Sequence, residues 1–221
     1  MLNRRVKFRP NPENPSGALP LLQDESLRLI DPTVRILRDL PNLLKQNLDL
    51  KEVTIYASNL ESTWMSFCSG YHELAAAGGV VRDNDGHVLW IQRNGRWDLP
   101  KGKVEQGASS RSTAKTEISE ETGLPRNQLK VLKKLIPTHY HKKVDGRIIV
   151  KKTDWFLIVF KGDEATPLIP DKNEGITDCK WFSFDELVLV LEESHERIRY
   201  LIEFFLNMPY YKKYRLRLNK K

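Results

Sequence analysis

The chain has 221 residues, a length that fits one domain or one domain with an extension. Hydrophobic residues make up 40% of it and charged residues 29%, and this composition excludes a disordered chain. Its net charge of +7 favours an anionic partner such as a phosphate-rich metabolite or a nucleic acid, and a basic surface without a specific ligand is the alternative. No apolar run approaches the ~18 residues that span a membrane, and the N-terminus lacks a signal-peptide core, so we expect a cytoplasmic protein that does not bind membranes.

The first seventy residues are predicted to form a small α/β unit without a catalytic cluster. Short strands are expected at 6–8, 27–30 and 52–56, where apolar and β-branched residues are concentrated. A loop is expected at 10–20 because this stretch is dense in proline.

Two helical regions are predicted within the same unit. The Asp-Pro-Thr sequence at 31–33 is a helix-start pattern, and apolar residues follow it at helical spacing. Pro41 interrupts that spacing and predicts two short helices. Ser58 is predicted to cap a further helix that runs to about Ser69.

The sequence pattern changes to strands and hairpins after residue 73. Apolar residues at 74–81 and 88–91 flank an Asp-Asn-Asp-Gly turn, which is a strong hairpin pattern. A second hairpin is expected around 145–146, and it leads into an apolar strand at 154–160.

The last part of the chain is predicted to contain one strand and one long helix. The strand is expected at 179–182, and the helix at 184–206 is expected to end before Pro209. The two cysteines, Cys68 and Cys179, lack metal-ligand spacing and are predicted to be buried reduced thiols rather than a disulfide.

Three carboxylates are expected on one face of a helix that ends at Gly123. Glu117, Glu120 and Glu121 lie at i, i+3 and i+4, and glycine is a common helix terminator. The helix macrodipole disfavours anions at this end, so a bound cation would offset the repulsion. Mg²⁺ and Mn²⁺ bind carboxylates together with waters and phosphates. A solvated acidic face is the alternative.

The segment 102–124 resembles the Nudix box, the signature G-x5-E-x7-R-E-U-x-E-E-x-G-U in which U is aliphatic, and the preceding RWDLPKG is also typical of that family. Two positions depart from the signature, because Ala108 and Thr116 stand where the family commonly has a paired Glu and Arg. Since both partners are replaced, no unpaired charge remains. The register is kept at Gly102, Glu117, Ile118, Glu120, Glu121, Gly123 and Leu124.

The resemblance covers roughly residues 72–207 and implies an α/β fold, a Nudix-type α/β/α sandwich around a mixed sheet. The predicted organisation has three parts. A small N-terminal α/β extension of unknown role occupies 1–70, the Nudix hydrolase domain occupies 71–208, and a basic C-terminal tail occupies 209–221.

The resemblance also implies metal-dependent hydrolysis of a phosphoanhydride bond. The ion, Mg²⁺ or Mn²⁺, would neutralise phosphate oxygens and lower the pKa of the attacking water. Glu121 is expected to be the most indispensable ligand. Glu174, on a loop before the last strand, is the candidate general base, and an ordinary exposed acid is the alternative. The implied metal ligands are the carbonyl of Gly102 and the carboxylates of Glu117, Glu120 and Glu121.

Cationic side chains near the box are expected to hold the substrate. Lys151 and Lys152 are neighbours on a strand, so at most one of them faces the site. The His-Tyr-His strand places both histidines on one side, and one of them is expected to contact phosphate or stack on a base. Simple surface histidines are the alternative, and a two-histidine metal site lacks an evident third ligand. The substrate-binding candidates are Arg93, Lys101, Lys103, His139 and His141.

The LPKGK, HYH and KKTDWF segments are similar to the branch that hydrolyses dinucleoside polyphosphates and diphosphoinositol polyphosphates, and such anionic substrates suit the net charge. One alternative is removal of pyrophosphate from RNA 5′ ends, with the basic tail extending the groove. Another is a non-catalytic Nudix-fold module that binds a nucleotide or RNA, which the changes at 108 and 116 favour and the intact acids oppose. The partner is expected to be an anionic small molecule rather than a nucleic acid, and a homodimer is an open alternative.

Overall fold

In a computed structural model, the described residues are 5–11, 21–23, 25–47, 49–144, 147–163 and 165–209. The chain divides into two compact units, Met1–Glu73 with Lys143–Val150 and Leu74–Lys142 with Lys151–Lys221. The predicted turn at 145–146, most of the predicted loop at 10–20 and nearly all of the basic tail lie outside the described residues. The predicted domain bounds stay predictions.

The first unit is an α/β fold, as predicted. Its strands are β1 (Arg5–Pro10), β2 (Leu21–Gln23), β3 (Ser26–Ile30) and β4 (Glu52–Ala57), and they form a sheet in the order β1-β4-β3-β2. Strand β4 runs parallel to β1 and β3. The helices are α1 (Val34–Gln46) and α2 (Leu60–Cys68), and they share one apolar core with the sheet. The three predicted strands are confirmed, whereas β2 was not predicted.

Helix α1 is continuous, so the predicted division at Pro41 is wrong. A proline in a helix interior costs about 3 kcal/mol because it removes a hydrogen bond and clashes with the preceding turn. Leu37 and Leu40 are almost completely buried on this helix. Burying two leucine side chains contributes stabilisation of the same order, about 3–6 kcal/mol, which is enough to hold the helix through the proline.

The cap of α2 is Asn59, so the prediction of Ser58 is wrong by one residue. The side chain of Asn59 accepts a hydrogen bond of 2.9 Å from the backbone N–H of Ser62. Ser58 instead donates through its backbone and its hydroxyl to the carboxylate of Asp31. The acceptor for Ser58 is distant in sequence, which is why local pattern did not reveal it.

A second, eight-stranded sheet lies largely in the second unit. Its strands are β5 (His72–Arg82), β6 (Val88–Arg93), β7 (Arg96–Asp98), β8 (Lys101–Lys103), β9 (Leu129–Lys134), β10 (Thr138–Val144), β11 (Arg147–Phe160) and β12 (Ile176–Phe182). The main order is β10-β11-β5-β6-β12, and β7, β8 and β9 pair with β6, β5 and β11. The first predicted hairpin is confirmed by the antiparallel pair β5–β6, and the strands predicted at 154–160 and 179–182 lie in β11 and β12.

Helices cover both faces of this sheet, which confirms the predicted sandwich. Helix α3 (Ser110–Thr122) packs through Ala114 and Ile118 against one face. Helices α4 (Leu187–Glu192) and α5 (Glu196–Leu206) pack against the other face, where two buried tryptophans, Trp90 and Trp155, form the centre of the core. Helix α3, which carries the three acids, is thereby packed against the sheet.

The helix predicted at 184–206 is two helices, because the chain leaves the helical path at 193–195. Ser194 lies in this break and is buried. It forms an isolated β-bridge with Trp97, and its hydroxyl donates a 2.6 Å hydrogen bond to the carbonyl of Val190. These tertiary contacts stabilise the break.

Two further expectations concern cysteines and membranes. Cys68 and Cys179 are both reduced thiols outside a disulfide, as predicted, but the predicted burial holds only for Cys179, because Cys68 is half-buried. In the part of the chain that the structure describes, no helix is long and apolar enough to cross a membrane. The cellular location stays a prediction.

Candidate functional site

Helix α3 begins and ends where its sequence predicts. The hydroxyl of Ser109 accepts a 3.2 Å hydrogen bond from the backbone N–H of Ser112, which caps the N-terminus. Gly123 ends the helix with φ of 76°, a left-handed conformation that a side chain would strain. The three acids lie in the last two turns of this helix.

Arg126 supplies a brace for α3 that the sequence did not reveal. It lies in the short 3-10 helix Arg126–Gln128, directly after α3. Its Nε donates to the hydroxyl of Thr116 at 3.0 Å, and its Nη2 donates to the hydroxyl of Ser112 at 2.9 Å. Thr116 thus takes part in a hydrogen-bonded link at the position where the family commonly has arginine.

The three acids of α3 differ greatly in exposure. Glu120 is exposed, Glu117 is half-buried and Glu121 is only 1% exposed. The carboxylate of Glu117 lies against the backbone of Gly102, and a Cβ at that glycine would overlap with it. Residue 102 must therefore be glycine for this approach, and the backbone of β8 lies beside the acidic face.

Glu121 has one satisfied and one unsatisfied carboxylate oxygen. Its Oε2 accepts a 2.7 Å hydrogen bond from the backbone N–H of Lys101. Its Oε1 is buried and has no hydrogen-bond partner among the described atoms, although Nη1 of Arg93 lies 3.6 Å away. Burial raises the pKa of Glu121 to about 8, while the charges of Lys101 and Arg93 oppose that shift. A buried carboxylate with an unused oxygen is costly unless a ligand satisfies it.

The loop that carries Glu174 lies beside these acids. Oε2 of Glu174 is 3.4 Å from Nη2 of Arg93, the same guanidinium that approaches Glu121. The charge of Glu174 also raises the pKa of Glu117 and of Glu121. The structure thus brings Glu174 to the acidic face, while its role as general base stays a prediction.

The charges of Lys151 and Lys152 shift the pKa of different side chains, in agreement with the expected alternation along a strand. Burial raises the pKa of Glu117, as do Glu120 and Glu174, whereas Lys151 and Lys101 lower it. Lys152 instead lowers the pKa of a histidine, His139. Of these neighbouring lysines, Lys151 is therefore the one whose charge lowers the pKa of a Nudix-box carboxylate, that of Glu117.

The two lysines next to Gly102 have different surroundings. Lys101 is 7% exposed, and its Nζ lies 3.3 Å from Oδ2 of Asp98. Lys103 is exposed and its Nζ lies 3.0 Å from Oε1 of Glu105. Lys103 can reach a substrate by releasing a solvent-exposed partner, whereas Lys101 is held in place. Substrate contact by either residue stays a prediction.

Asp98 joins the site to helix α5 through a contact that sequence reasoning missed. Nη2 of Arg197 lies 3.4 Å from Oδ2 of Asp98, and the guanidinium stacks over the ring of Tyr140 at 4.7 Å from its centroid. Asp98 lies in the RWDLPKG segment, but no pattern in the sequence of α5 singles out Arg197. The buried carboxylate of Asp98 thus has two cationic neighbours, Lys101 and Arg197.

The histidine candidates lie on β10, and only His139 has a described side chain. His139 is half-buried, and its burial together with the charge of Lys152 lowers its pKa to about 4, against the opposing charge of Asp154. Its imidazole is therefore neutral at pH 7. The side chain of His141 lies outside the described residues.

The acidic face offers oxygen donors of the kind that Mg²⁺ and Mn²⁺ prefer. The buried Oε1 of Glu121 without a hydrogen bond fits an ion best, and Glu117 lies close to the backbone of Gly102. Among the residues that the structure describes, however, no group of three or more His, Cys, Asp or Glu side chains is arranged to hold an ion. The complete ligand set, with Glu120, stays a prediction that requires side chains to turn toward Glu121.

Comparisons with known proteins agree with the box. The family model described as NUDIX domain matches residues 72–205. A putative mutator protein, MutT4, of Mycobacterium tuberculosis is 31% identical over 136 residues, which are 57% of this chain and 52% of that protein. The chain thus matches about half the length of that relative. An RNA pyrophosphohydrolase of Teredinibacter turnerae is 25% identical over 135 residues, covering 54% of this chain and 79% of that protein.

Solved structures also resemble the chain. A C. elegans Ap4A hydrolase in a binary complex has a TM-score of 0.46 at 19% identity, and the match covers 60% of this chain and 94% of that one. A MutT protein from Methanosarcina mazei has a TM-score of 0.42 at 20% identity, with 68% and 98% covered.

Proposed function

The chain belongs to the Nudix family, whose domain covers residues 72–205, and we propose that it is a metal-dependent pyrophosphohydrolase. Its substrate would contain a phosphoanhydride bond, either in a nucleoside diphosphate linked to a further group or in a related, highly anionic molecule.

The unsatisfied Oε1 of Glu121 is the observation that carries this proposal. Burial of a carboxylate is unfavourable, and one satisfied oxygen compensates only in part. A structural role would be served better by a neutral or fully hydrogen-bonded side chain. Ligation of a divalent cation explains why an acid occupies this place beside Glu117 and Gly102.

The residues around Glu121 have distinct roles in this proposal. A bound Mg²⁺ or Mn²⁺ supplies positive charge for phosphate oxygens and a lowered pKa for the attacking water. The backbone N–H of Lys101 fixes the orientation of the Glu121 carboxylate. Glu174 accepts a proton from the attacking water, and Arg93 positions its carboxylate and attracts the substrate phosphates.

Two substrate classes follow from different observations. The favoured substrates are dinucleoside polyphosphates and diphosphoinositol polyphosphates, which are highly anionic. Cations such as Arg93 and Lys151 surround the acidic face, and the chain has a net charge of +7. RNA 5′ ends are the second class, since several relatives at 25–27% identity are named RNA pyrophosphohydrolases.

The non-catalytic alternative is weakened by Arg126. Loss of the family's Glu–Arg pair favours a module without turnover. Arg126 connects two hydroxyls of α3, at Thr116 and Ser112, and so braces the helix in another way. The changes at 108 and 116 therefore do not require loss of catalysis.

A substrate panel tests the proposal. Purified protein would be incubated with a dinucleoside tetraphosphate, a diphosphoinositol polyphosphate and a 5′-triphosphate RNA, each with Mg²⁺, Mn²⁺ or EDTA. We expect turnover of at least one substrate with either ion and none with EDTA. Tight binding without product from any of these substrates would instead support the binding-module alternative.

A further inference from the structure

A second charged cleft lies next to helix α3 and is not part of the candidate active site. Its cavity has a volume of about 480 Å³, within the range of about 300–1,000 Å³ that is typical of small-molecule sites. The lining includes four cationic residues and no acidic residue. The cations are Arg111, Lys115, Lys130 and Lys161.

The positive charge of this cleft is not compensated within the described structure. Arg111 donates to the carbonyl of Val131 at 3.1 Å, which orients the guanidinium but leaves its charge intact. Among residues 5–209 that are described, Lys115, Lys130 and Lys161 form no ion pair. By contrast, Lys134 on the same strand β9 is paired with Asp154 at 3.0 Å. A concave surface lined by cations alone concentrates anions from solution.

The cleft and the acidic face lie on different sides of α3. Arg111 and Lys115 are one helical turn apart, and Glu117 follows Lys115 by two residues, or about 200° around the helix. The positively charged pair at i and i+4 is unfavourable for the helix by itself. A bound anion would remove that repulsion.

From these features we infer that the cleft binds a small polyphosphate anion, such as inorganic tripolyphosphate or the triphosphate group of a nucleotide. Cationic side chains from α3, β9 and the end of β11 would contact its oxygens, with charge-assisted hydrogen bonds as the main source of affinity. The lining contains no aromatic residue, so the stacking contacts that usually hold single-stranded nucleic acid are missing from it. The ligand is thus recognised by its charge.

Isothermal titration calorimetry of the full chain in EDTA tests this inference. Inorganic tripolyphosphate is the first probe, and a metal-free nucleoside triphosphate is the second. EDTA removes the ions that would attract phosphates to the acidic face, so binding there is disfavoured. Equal affinity for the two probes would mean that the phosphates alone are recognised, whereas tighter nucleotide binding would mean that the base or ribose also contributes.

The double variant Lys130→Gln with Lys161→Gln is expected to bind tripolyphosphate at least about tenfold more weakly, the loss that corresponds to about 1.4 kcal/mol. Lys133→Gln is the matched control, because Lys133 is exposed on β9 outside the cleft, and its affinity should stay within about twofold. Both lysines of the double variant are exposed, so thermal unfolding should be unchanged.

Three results would overturn the inference. Unchanged affinity in the double variant would place the anion elsewhere. Weakening of about threefold by Lys133→Gln, which is half of the free-energy loss for half of the removed charge, would mean diffuse attraction by surface charge. Tighter binding of a twelve-nucleotide RNA without a 5′ phosphate than of tripolyphosphate, lost in the double variant, would make the cleft a nucleic-acid site.

Discussion

Nη2 of Arg93 lies 3.4 Å from Oε2 of Glu174, and this ion pair holds the loop before β12 against the end of β6. Because Nη1 of the same arginine lies 3.6 Å from Oε1 of Glu121, the loop acid and the most buried box acid share one cation. Glu174 therefore lies beside the acidic face, and we propose it as the proton acceptor.

If Glu174 is the general base, Glu174→Gln should lower kcat by on the order of 10²–10⁴-fold, the range for general acid–base groups. Metal affinity should change little, because an amide keeps the shape of the side chain and Glu121 is untouched. The measurement is steady-state kinetics together with Mn²⁺ binding by calorimetry.

A matched control for this variant is Glu203→Gln, an exposed acid on α5. It should leave kcat within about twofold of wild type, as expected for a surface charge. Loss of Mn²⁺ binding in Glu174→Gln would make Glu174 a ligand, and an effect no larger than that of the control would make it a surface acid.

The brace from Arg126 should stabilise the apo protein. Arg126→Ala removes two hydrogen bonds to α3, each worth about 0.5–1.5 kcal/mol when buried and less at this exposed site. We expect the free energy of unfolding in urea to fall by about 0.5–1.5 kcal/mol. Amide hydrogen exchange should also increase across residues 102–124.

Asn127→Ala tests whether the effect is specific, since Asn127 is the next residue and is also exposed. It should have little effect on stability. Thr116→Arg should also destabilise, because it removes an acceptor and adds a cation beside Arg126. Stabilisation by Thr116→Arg would show that Arg126 is not a brace in solution.

Breaking the buried ion cluster at Asp98 should be costly. Asp98→Asn leaves the ammonium of Lys101 buried without its anion, so we expect a loss of about 3 kcal/mol in unfolding free energy. Adding Lys101→Met removes that buried charge and should recover part of the loss. A double-mutant cycle measured in urea checks this, and purely additive effects would contradict the coupling.

His139 makes stability depend on pH in the acid range. Its folded-state pKa of about 4 is below the ordinary value of 6.5, so folding favours the neutral imidazole. The resulting stability is present above pH 6.5 and is lost as the pH falls toward 4. An NMR titration should show a midpoint near 4 for the His139 ring, whereas a midpoint near 6.5 would mean that the ring is solvated. His139→Asn should flatten the pH dependence in that window.

The sequence predicted the parts of the fold that local pattern determines. The hairpin around Gly86, the strand at 154–160 and the end of α3 at Gly123 all depend on turn chemistry, apolar runs and helix caps, and all are confirmed. The Nudix box likewise depends on fixed spacing along one segment.

Local sequence pattern does not predict contacts between residues that are distant in the chain. The break before α5 is held by Ser194 and its bridge to Trp97, and the continuity of α1 through Pro41 is held by burial. Arg197 reaches Asp98 from a helix whose own sequence indicates only an amphipathic surface. The spacing of the three acids predicts that they share one face of the helix, but it does not predict which of them is buried.

Glu121 is the residue on which the proposed function depends. Its buried Oε1 lacks a hydrogen bond, and its Oε2 is held by the backbone of β8. Glu121→Gln keeps the size of the side chain and removes its charge. Folding should be unchanged or slightly improved without metal, because the raised pKa shows that the charged form is disfavoured.

The most direct test is the rate of product formation at increasing Mg²⁺ for wild type, Glu121→Gln and the control Glu203→Gln, with the best substrate from the panel. We predict that wild type and control require Mg²⁺ and have similar kcat, and that Glu121→Gln loses on the order of 10²–10³-fold, as when one key electrostatic group is removed. Wild-type turnover by Glu121→Gln, or full activity of the wild type in EDTA, would contradict metal-dependent catalysis at this acidic face.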